Sequence, residues 1–398
     1  MTNHSHPQGN INGSQSAGQE RVLGVGIIGC GNISAAYLKL APLFHGIEMR
    51  ACADLNSAAA DARAREFGIA SRSIEALLAS TDIDIIINLT VPAAHFDVSM
   101  AILEAGKHVY SEKPLVLELE QGLALQQAAT SRGLAVGCAP DTFLGGAHQQ
   151  ARDLIDSGRL GTIVGGTCHV MSHGMEHWHP NPDFFFKHGG GPVLDLGPYY
   201  IANLINLIGP VKRVAAISAI PSKQRVISSE PRKGQLIEVE TPTTIHALLQ
   251  FHNGATVTLG ASWDVWAHRH GNMELYGSEG SIYVPDPNFF GGDVRYTERS
   301  GEAQLLQPWD HPFSLPNYPA EAPKFANYRT AGLAEMAQAL LLGEEPRCSL
   351  SRTLHGIEVM TAILESGETG QFVELQTYCE RPPALDPQAA RALLRQPH

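Results

Sequence analysis

The sequence predicts two domains, an α/β domain with a parallel sheet followed by an α+β domain with an antiparallel or mixed sheet. Three observations carry the prediction. Short β-branched apolar runs alternate with helical segments as far as Asp141, and longer strand-like runs dominate after it. The chain has 398 residues, 43% of them hydrophobic, which is enough for two cores.

The first domain is read over residues 21–141. VLGVGIIG is an apolar, β-branched run ending in glycine, and Ser34 to Leu40 follows with helical periodicity. EMRACAD, closing at Asp54, is a second strand, and SAAADARAREFG is an alanine-rich helix stopped by Gly68. DIDIIINLT, from Asp82 to Thr90, is a buried strand. HFDVSMAILEAG is a helix with Gly106 as its stop, and KHVYSEKPL holds another strand. LELEQGLALQQAATSRG repeats the helix-then-glycine pattern before LAVGCAP. Strands alternating with helices over short loops imply a parallel sheet covered on both faces.

The second domain is read over 142–375. AHQQARDLIDSGRLG is a helix with one polar face, and GTIVGGTCHVMSH, RVAAISAI, TPTTIHALLQFHNGATVTLGAS and MELYGSEGSIYV are strand-like. HNGA offers a hairpin turn, with Asn253 and Gly254 suited to positive φ. ANYRTAGLAEMAQALLLG and TLHGIEVMTAILESGETG are helical, and residues 376–398 read as a peripheral extension with any helix beginning after Pro387.

Composition narrows the function. A net charge of -12 without a Lys/Arg cluster argues against nucleic acid or an anionic membrane as partner. The six cysteines lack paired spacing, which suggests neither a disulfide framework nor a zinc ribbon and fits a reducing, cytoplasmic location. Residues 1–20 are polar and read as a loose tail, and no apolar run is long enough to span a bilayer.

The chemistry-bearing motif comes first in the chain. Gly29, Gly31 and Ser34 in GCGNIS occupy the three glycine positions of GxGxxG where a strand turns into a helix. The first glycine permits the tight turn and the second lets backbone approach a pyrophosphate. Asn32 and Ile33 lie at the helix N-terminus, whose free N–H groups favour an anion. Ser34 stands where a small side chain still allows close helix–strand packing. Asp54 ends the second strand, where a carboxylate accepts ribose hydroxyls and repels a 2′-phosphate, and no arginine sits beside it. The expected cofactor of this Rossmann domain is NAD, with NADP disfavoured. Arg63 and Arg65 are read as solvated helix residues.

GxGxxS, Asp54, NLTVPAAH, Glu112-Lys113-Pro114 and GGGPVLDLG, in that order, resemble the Gfo/Idh/MocA oxidoreductase family over about Val22 to Leu375. The resemblance implies a C-terminal domain with a large, mostly antiparallel open-faced sheet that often forms oligomer contacts. It also implies hydride transfer on sugars, inositols or related polyols, by a homodimer or homotetramer. In the family the EKP lysine reaches the reacting hydroxyl and the nicotinamide ribose; here that lysine is Lys113, with Glu112 beside it on the cofactor side. A lysine beside substrate and a cationic nicotinamide should lose charge stability and serve as a proton relay. Taken alone, Lys113 reads more readily as a surface lysine before a proline than as a catalytic one. Thr90, Pro92 and His95 follow a strand end that should face the cofactor, although His95 could equally cap the next helix.

Asp195 begins a helix-like segment running through Leu207. The family commonly has a histidine one turn after this aspartate, and here the position is Tyr199, a departure from its pattern. Three proton acceptors stay open: Tyr199 coupled to Lys113, Lys113 alone, or a histidine from elsewhere. HGMEHWHPNPDFFFKHGGG, leading into Asp195, reads as a substrate loop, with His177 and His179 touching substrate and Trp178 stacking on a sugar ring. His173, His177 and His179 also invite a zinc reading, but the Asn181, Pro182 and aromatic context suits a pocket wall better, so no metal is assigned. Trp263, Asp264 and Trp266 suggest another pocket edge, with core packing for one tryptophan.

The expected activity is NAD-dependent oxidation of a hydroxyl on a sugar, sugar acid or polyol, using Lys113, Asp195 and Tyr199. A neutral or weakly acidic substrate suits segments with few arginines better than a phosphate ester. Two alternatives remain: cleavage of glycosides by transient ring oxidation with return of the hydride, and a non-catalytic NAD-binding sensor.

Overall fold

The computed structural model describes residues 21–299 and 301–395, so the tail expected over 1–20 lies outside the described residues. The first domain runs β1 (Leu23–Ile28), α1 (Asn32–Leu40), β2 (Ile47–Ala53), α2 (Ser57–Phe67), β3 (Ala70–Ser71), α3 (Ile74–Leu78), β4 (Ile85–Asn88), α4 (His95–Glu104), β5 (His108–Ser111), α5 (Leu119–Arg132) and β6 (Val136–Cys138). Its six strands are all parallel, in the order β3-β2-β1-β4-β5-β6. Every residue of β1 and β4 is buried, as a sheet covered on both faces requires. Strand order reverses between β1 and β4, so their C-terminal ends open the crevice where such sheets bind ligands.

The second domain comprises α6 (Gly146–Asp156), β7 (Ile163–Met171), α7 (Pro192–Leu207), β8 (Val211–Ala219), β9 (Gln224–Val226), β10 (Leu236–Glu238), β11 (Thr244–Phe251), β12 (Thr256–Ser262), β13 (Met273–Gly277), β14 (Gly280–Val284), β15 (Arg295–Glu298), β16 (Gln304–Leu305), α8 (Ala331–Leu342), α9 (Leu350–Thr369), β17 (Val373–Glu374) and α10 (Pro387–Leu393). Nine of these strands form one sheet in the order β16-β15-β14-β13-β7-β12-β11-β8-β17, antiparallel except for the β7–β12 pair. Alternation along β11 buries Ile245, Ala247 and Leu249 on the face that α9 covers and leaves the other face open. In the β11–β12 hairpin only Gly254 takes positive φ; Asn253 does not, and its side chain instead accepts the Ala255 N–H at 3.0 Å.

The C-terminal segment is not peripheral. Leu385, Ala390 and Leu393 are buried in the same cluster as Leu23, Val25 and Phe44, and the His45 N–H donates to the Leu393 carbonyl at 3.1 Å. The short helix α10, capped by Asp386 with proline at its start, thereby returns the chain to the first domain. Among the described residues no helix is long and apolar enough to cross a membrane.

Candidate active site

The turn after β1 is shaped by what its glycines leave out. Gly29 has φ 104°, and a Cβ there would come within 2.5 Å of the Leu89 carbonyl oxygen, so β1 and β4 could not approach as they do. A Cβ on Gly31 would meet no protein atom, which leaves open space in front of α1. That helix has no side-chain cap, so first-turn N–H groups face the space. Ser34 is buried and its hydroxyl donates to the Gly31 carbonyl at 2.6 Å, satisfying the polar atom that a third glycine would not carry. The Asp54 carboxylate accepts the Cys30 N–H at 2.7 Å and the Asn56 N–H at 2.8 Å, which fixes it at the end of β2 while each oxygen keeps a lone pair. This donor set fits a dinucleotide. Arg63, read from sequence as solvated, instead reaches back to the Gly31 carbonyl at 3.2 Å and pairs with Glu66.

On the loop after β4, the Thr90 hydroxyl donates to the Asn88 side chain at 2.7 Å, and Pro92 lies exposed in a short turn. The structure corrects the expectation for His95. It is 1% exposed, with Nδ1 2.6 Å from the Pro114 carbonyl and Nε2 3.0 Å from the Thr90 carbonyl, so both ring nitrogens are turned to backbone rather than to a cofactor. Its place is to tie this loop to the EKP turn, where the Lys113–Pro114 peptide is cis. Glu112 accepts the Tyr37 hydroxyl at 2.9 Å and the Lys113 N–H at 3.0 Å, linking that turn to α1.

Lys113 then crosses to the second domain. Its Nζ donates to the Asp195 carbonyl at 2.6 Å and to Asp195 Oδ1 at 3.0 Å, and lies 5.3 Å from the centre of the Tyr199 ring. Proline at the start of α7 puts Asp195 in its first turn, and Tyr199 follows one turn later on the same face. Burial works against the Lys113 charge, but the acidic groups that face it, Tyr199, Asp195 and Glu112, outweigh burial, so the pKa is raised. In the protein by itself the surroundings of Lys113 therefore favour its charged form. Burial likewise raises the Tyr199 phenol, with Lys113 and Arg329 only partly opposing it, so the protein does not hold a tyrosinate near neutrality.

Sequence reasoning missed three residues around this centre: Tyr37, Asp141 and Arg329. Asp141 is buried and accepts the N–H groups of Thr330 and Gly332 at 3.1 and 3.0 Å, fixing the turn before α8. The neighbouring Arg329 is raised in pKa: burial lowers it, and Tyr199, Glu112, Tyr37 and Asp141 outweigh that. The only signal in the sequence was an arginine ahead of a helical run.

The loop from His173 to Gly190 is held from beneath by Arg225. Its guanidinium donates to Glu176 Oε1 at 2.7 Å, to Asp264 Oδ1 at 2.6 Å, and to the carbonyls of His173 and Trp263 at 2.7 and 2.8 Å. Arg232 pairs with Asp183 from the β9–β10 ribbon, an element that sequence periodicity did not reveal. His177 and Trp178 are exposed, whereas His179 sits among Trp178, Phe184 and Phe185. Among the described contacts none joins His177, Trp178 or His179 to Lys113, Asp195 or Tyr199. Trp263 is fully buried, and Trp266 is exposed with its ring stacked on His173. Among the described residues no three His, Cys, Asp or Glu side chains are grouped to hold a metal ion.

Comparison with known proteins agrees with this geometry. Residues 23–139 match the oxidoreductase family with an NAD-binding Rossmann fold, and residues 148–283 match the GFO/IDH/MocA C-terminal domain. The 1,5-anhydro-D-fructose reductase of Ensifer adhaerens is 25% identical over 88% of this chain and 98% of its own. The dTDP-3,4-didehydro-2,6-dideoxy-alpha-D-glucose 3-reductase of Streptomyces violaceoruber is 30% identical over 72% of this chain and 77% of its own. Among solved structures, a levoglucosan dehydrogenase in complex with NADH superposes with a TM-score of 0.77 at 22% identity, covering 90% of this chain and all of that one. The chain therefore belongs to the GFO/IDH/MocA oxidoreductase family.

Proposed function

We propose that this protein is an NAD-dependent dehydrogenase that oxidises a hydroxyl group of a sugar, sugar acid or polyol. The observation that carries the proposal is the Lys113–Asp195 contact, 3.0 Å between Nζ and Oδ1, which joins the EKP turn of the first domain to the first turn of α7 in the second. Bound NAD supplies the hydride acceptor. The chain's own work is to orient the substrate and to handle its proton. Asp195 holds the Lys113 ammonium and keeps a second oxygen for a substrate hydroxyl. Lys113 receives the hydroxyl proton once it has released its own, and the Tyr199 hydroxyl offers a hydrogen bond beside it. The raised pKa of Lys113 makes that release an alkaline event. Asp54 supports NAD over NADP, because a fixed carboxylate there repels a 2′-phosphate.

His177, Trp178 and His179 are proposed to meet the substrate from the loop ahead of α7. Self-association as a dimer or tetramer through the open sheet face completes the proposal; Ile217 and Leu248 stand there 79% and 47% exposed, and light scattering tests it. The experiment for the activity is absorbance at the reduced-nicotinamide band with NAD and a panel of aldoses, aldonates, inositols and glycosides. Growth of the band with a sugar or polyol is the expected result. Product formation without such growth would replace the proposal with a hydride-returning reaction.

A further inference from the structure

Arg329 is the charged group that the scheme above leaves unused, and its surroundings are built with some care. The turn carrying it runs directly into Thr330, which has φ 107°, the positive-φ non-glycine residue among the described residues. Several bonds hold that conformation. Asp141 accepts the amides of Thr330 and Gly332, Asn327 Oδ1 accepts the Arg329 N–H at 3.2 Å, and Asn317 in turn bonds both backbone groups of Asn327 at 2.9 and 2.7 Å. Tyr328, on the other side, is buried and donates its hydroxyl to the Leu315 carbonyl at 3.1 Å.

The guanidinium that this turn holds is partly buried, yet it makes neither a hydrogen bond nor an ion pair with any described residue. Other inward-facing arginines are treated differently. Arg225 donates to two carboxylates and two carbonyls, and Arg347 to Glu335 and the carbonyls of Pro383 and Ala384. A partly buried guanidinium keeps five N–H donors that want acceptors. The turn is tied to the same centre, since the Thr330 hydroxyl donates to the Tyr37 carbonyl at 3.5 Å and the Tyr37 hydroxyl donates to Glu112 at 2.9 Å, and Tyr199 and Glu112 are the groups that act most strongly to favour the Arg329 charge.

We infer that Arg329 recognises a carboxylate on the substrate, which makes the substrate a sugar acid, an aldonate or uronate, rather than a neutral sugar. The inference rests on the proposed dehydrogenase activity and names its substrate class. A planar guanidinium matches a carboxylate through two parallel hydrogen bonds. Lys113 is already engaged by Asp195, whereas the Arg329 donors are free among the described residues, and one such cation suits a monoanion better than a phosphate dianion. Arg329 and Lys113 both act on the Tyr199 phenol, so a molecule of sugar size is expected to meet both, with its carboxylate at one and its reacting hydroxyl at the other.

The test is calorimetric binding of D-gluconate, D-galactonate, D-glucuronate and D-galacturonate, each beside its neutral parent aldose, to the protein–NADH complex. Wild type, Arg329→Ala and Arg329→Lys are compared, with NADH affinity measured separately for each as the check on folding and on the cofactor site. A charge-assisted bidentate contact should give at least one acid an advantage of about tenfold or more over its parent. That advantage should fall to about one in Arg329→Ala and survive in part in Arg329→Lys. Acids that bind wild type no better than their parents, or an Arg329→Ala variant that weakens NADH and keeps the advantage, would overturn the inference. Arg329-dependent binding of an acid without growth of the reduced-nicotinamide band would uphold the inference and remove the dehydrogenase activity instead.

Discussion

Replacing Lys113 with methionine separates the proton-handling proposal from a purely structural one. Methionine keeps the apolar stem and removes the ammonium, so the 3.0 Å contact with Asp195 Oδ1 and the 2.6 Å bond to its carbonyl are lost. The Asp195 side chain is 22% exposed and retains access to water. The stability cost should therefore be about 1–2 kcal/mol rather than the roughly 3–5 kcal/mol of a fully buried pair. For a domain of this size that lowers Tm by about 2–8 °C. A positioned proton acceptor contributes roughly 10²- to 10⁴-fold to the chemical step, which corresponds to about 3–5 kcal/mol of barrier. The two magnitudes differ enough to be told apart by measuring kcat from the reduced-nicotinamide absorbance, NADH affinity by fluorescence titration and Tm by calorimetry. The expected Lys113→Met protein is folded, binds NADH within about threefold of wild type and has lost about 10²-fold or more in kcat. A kcat within about tenfold of wild type refutes the role of Lys113. The wild-type oxidation rate should also rise into the alkaline range, because Lys113 must first shed a proton that its surroundings hold tightly. Stability follows the same sign. A folded pKa above the unfolded value of about 10.4 means that the pair stabilises fully at neutral pH and fades only as pH climbs through the folded value.

Three further outcomes follow from the geometry. Asp54→Asn keeps an oxygen for the Cys30 N–H but loses the charge, so the NAD-over-NADP ratio of kcat/KM should fall by about tenfold; an unchanged ratio would detach Asp54 from cofactor choice. Arg225→Met strands Glu176 and Asp264 beneath the substrate loop, at about 3–5 kcal/mol. Tm should drop by about 6–20 °C with a raised KM for the sugar, and a shift under about 2 °C would show that the network is dispensable. His148, His311 and His355 are held down to about 4 by burial. Each binds a proton near pH 6.5 only when unfolded, so each removes about 1.5 kcal/mol of stability between pH 6.5 and 5. The buried carboxyls of Asp141, Asp286 and Glu335, pushed up, act in the opposite direction. Comparing urea midpoints of wild type and His355→Asn at the two pH values isolates one histidine, and an identical pH slope in both proteins would contradict the assignment.

Periodicity and punctuation made the first domain legible. A run such as IIIN in β4 can be buried only in a covered parallel sheet, and α2 and α5 stop in the left-handed conformation at Gly68 and Gly133, where a glycine closes the helical pattern. The β9–β10 ribbon escaped because its strands are three residues each, too short for alternation to register. The packing of the terminal helix escaped as well, since whether a short helix packs or dangles depends on a partner surface far away in sequence, here Phe44 and Leu23.

Within the site, residue type and local order were enough to nominate Gly29, Gly31 and Asp54, because a glycine turn and a carboxylate at a strand end are local matters, whereas Lys113, Asp195 and Tyr199 were nominated by the family resemblance. Partnership was not local. Tertiary structure alone decided that both His95 ring nitrogens lie against backbone carbonyls and that Arg63 folds back on Gly31. It also decided that Lys113 pairs with Asp195 and that Arg329 meets no acceptor among the described residues. Each of these depends on which polar groups burial brings within about 3 Å across more than one element, and a hydrogen bond or a pKa is set by those neighbours rather than by the identity of the residue itself.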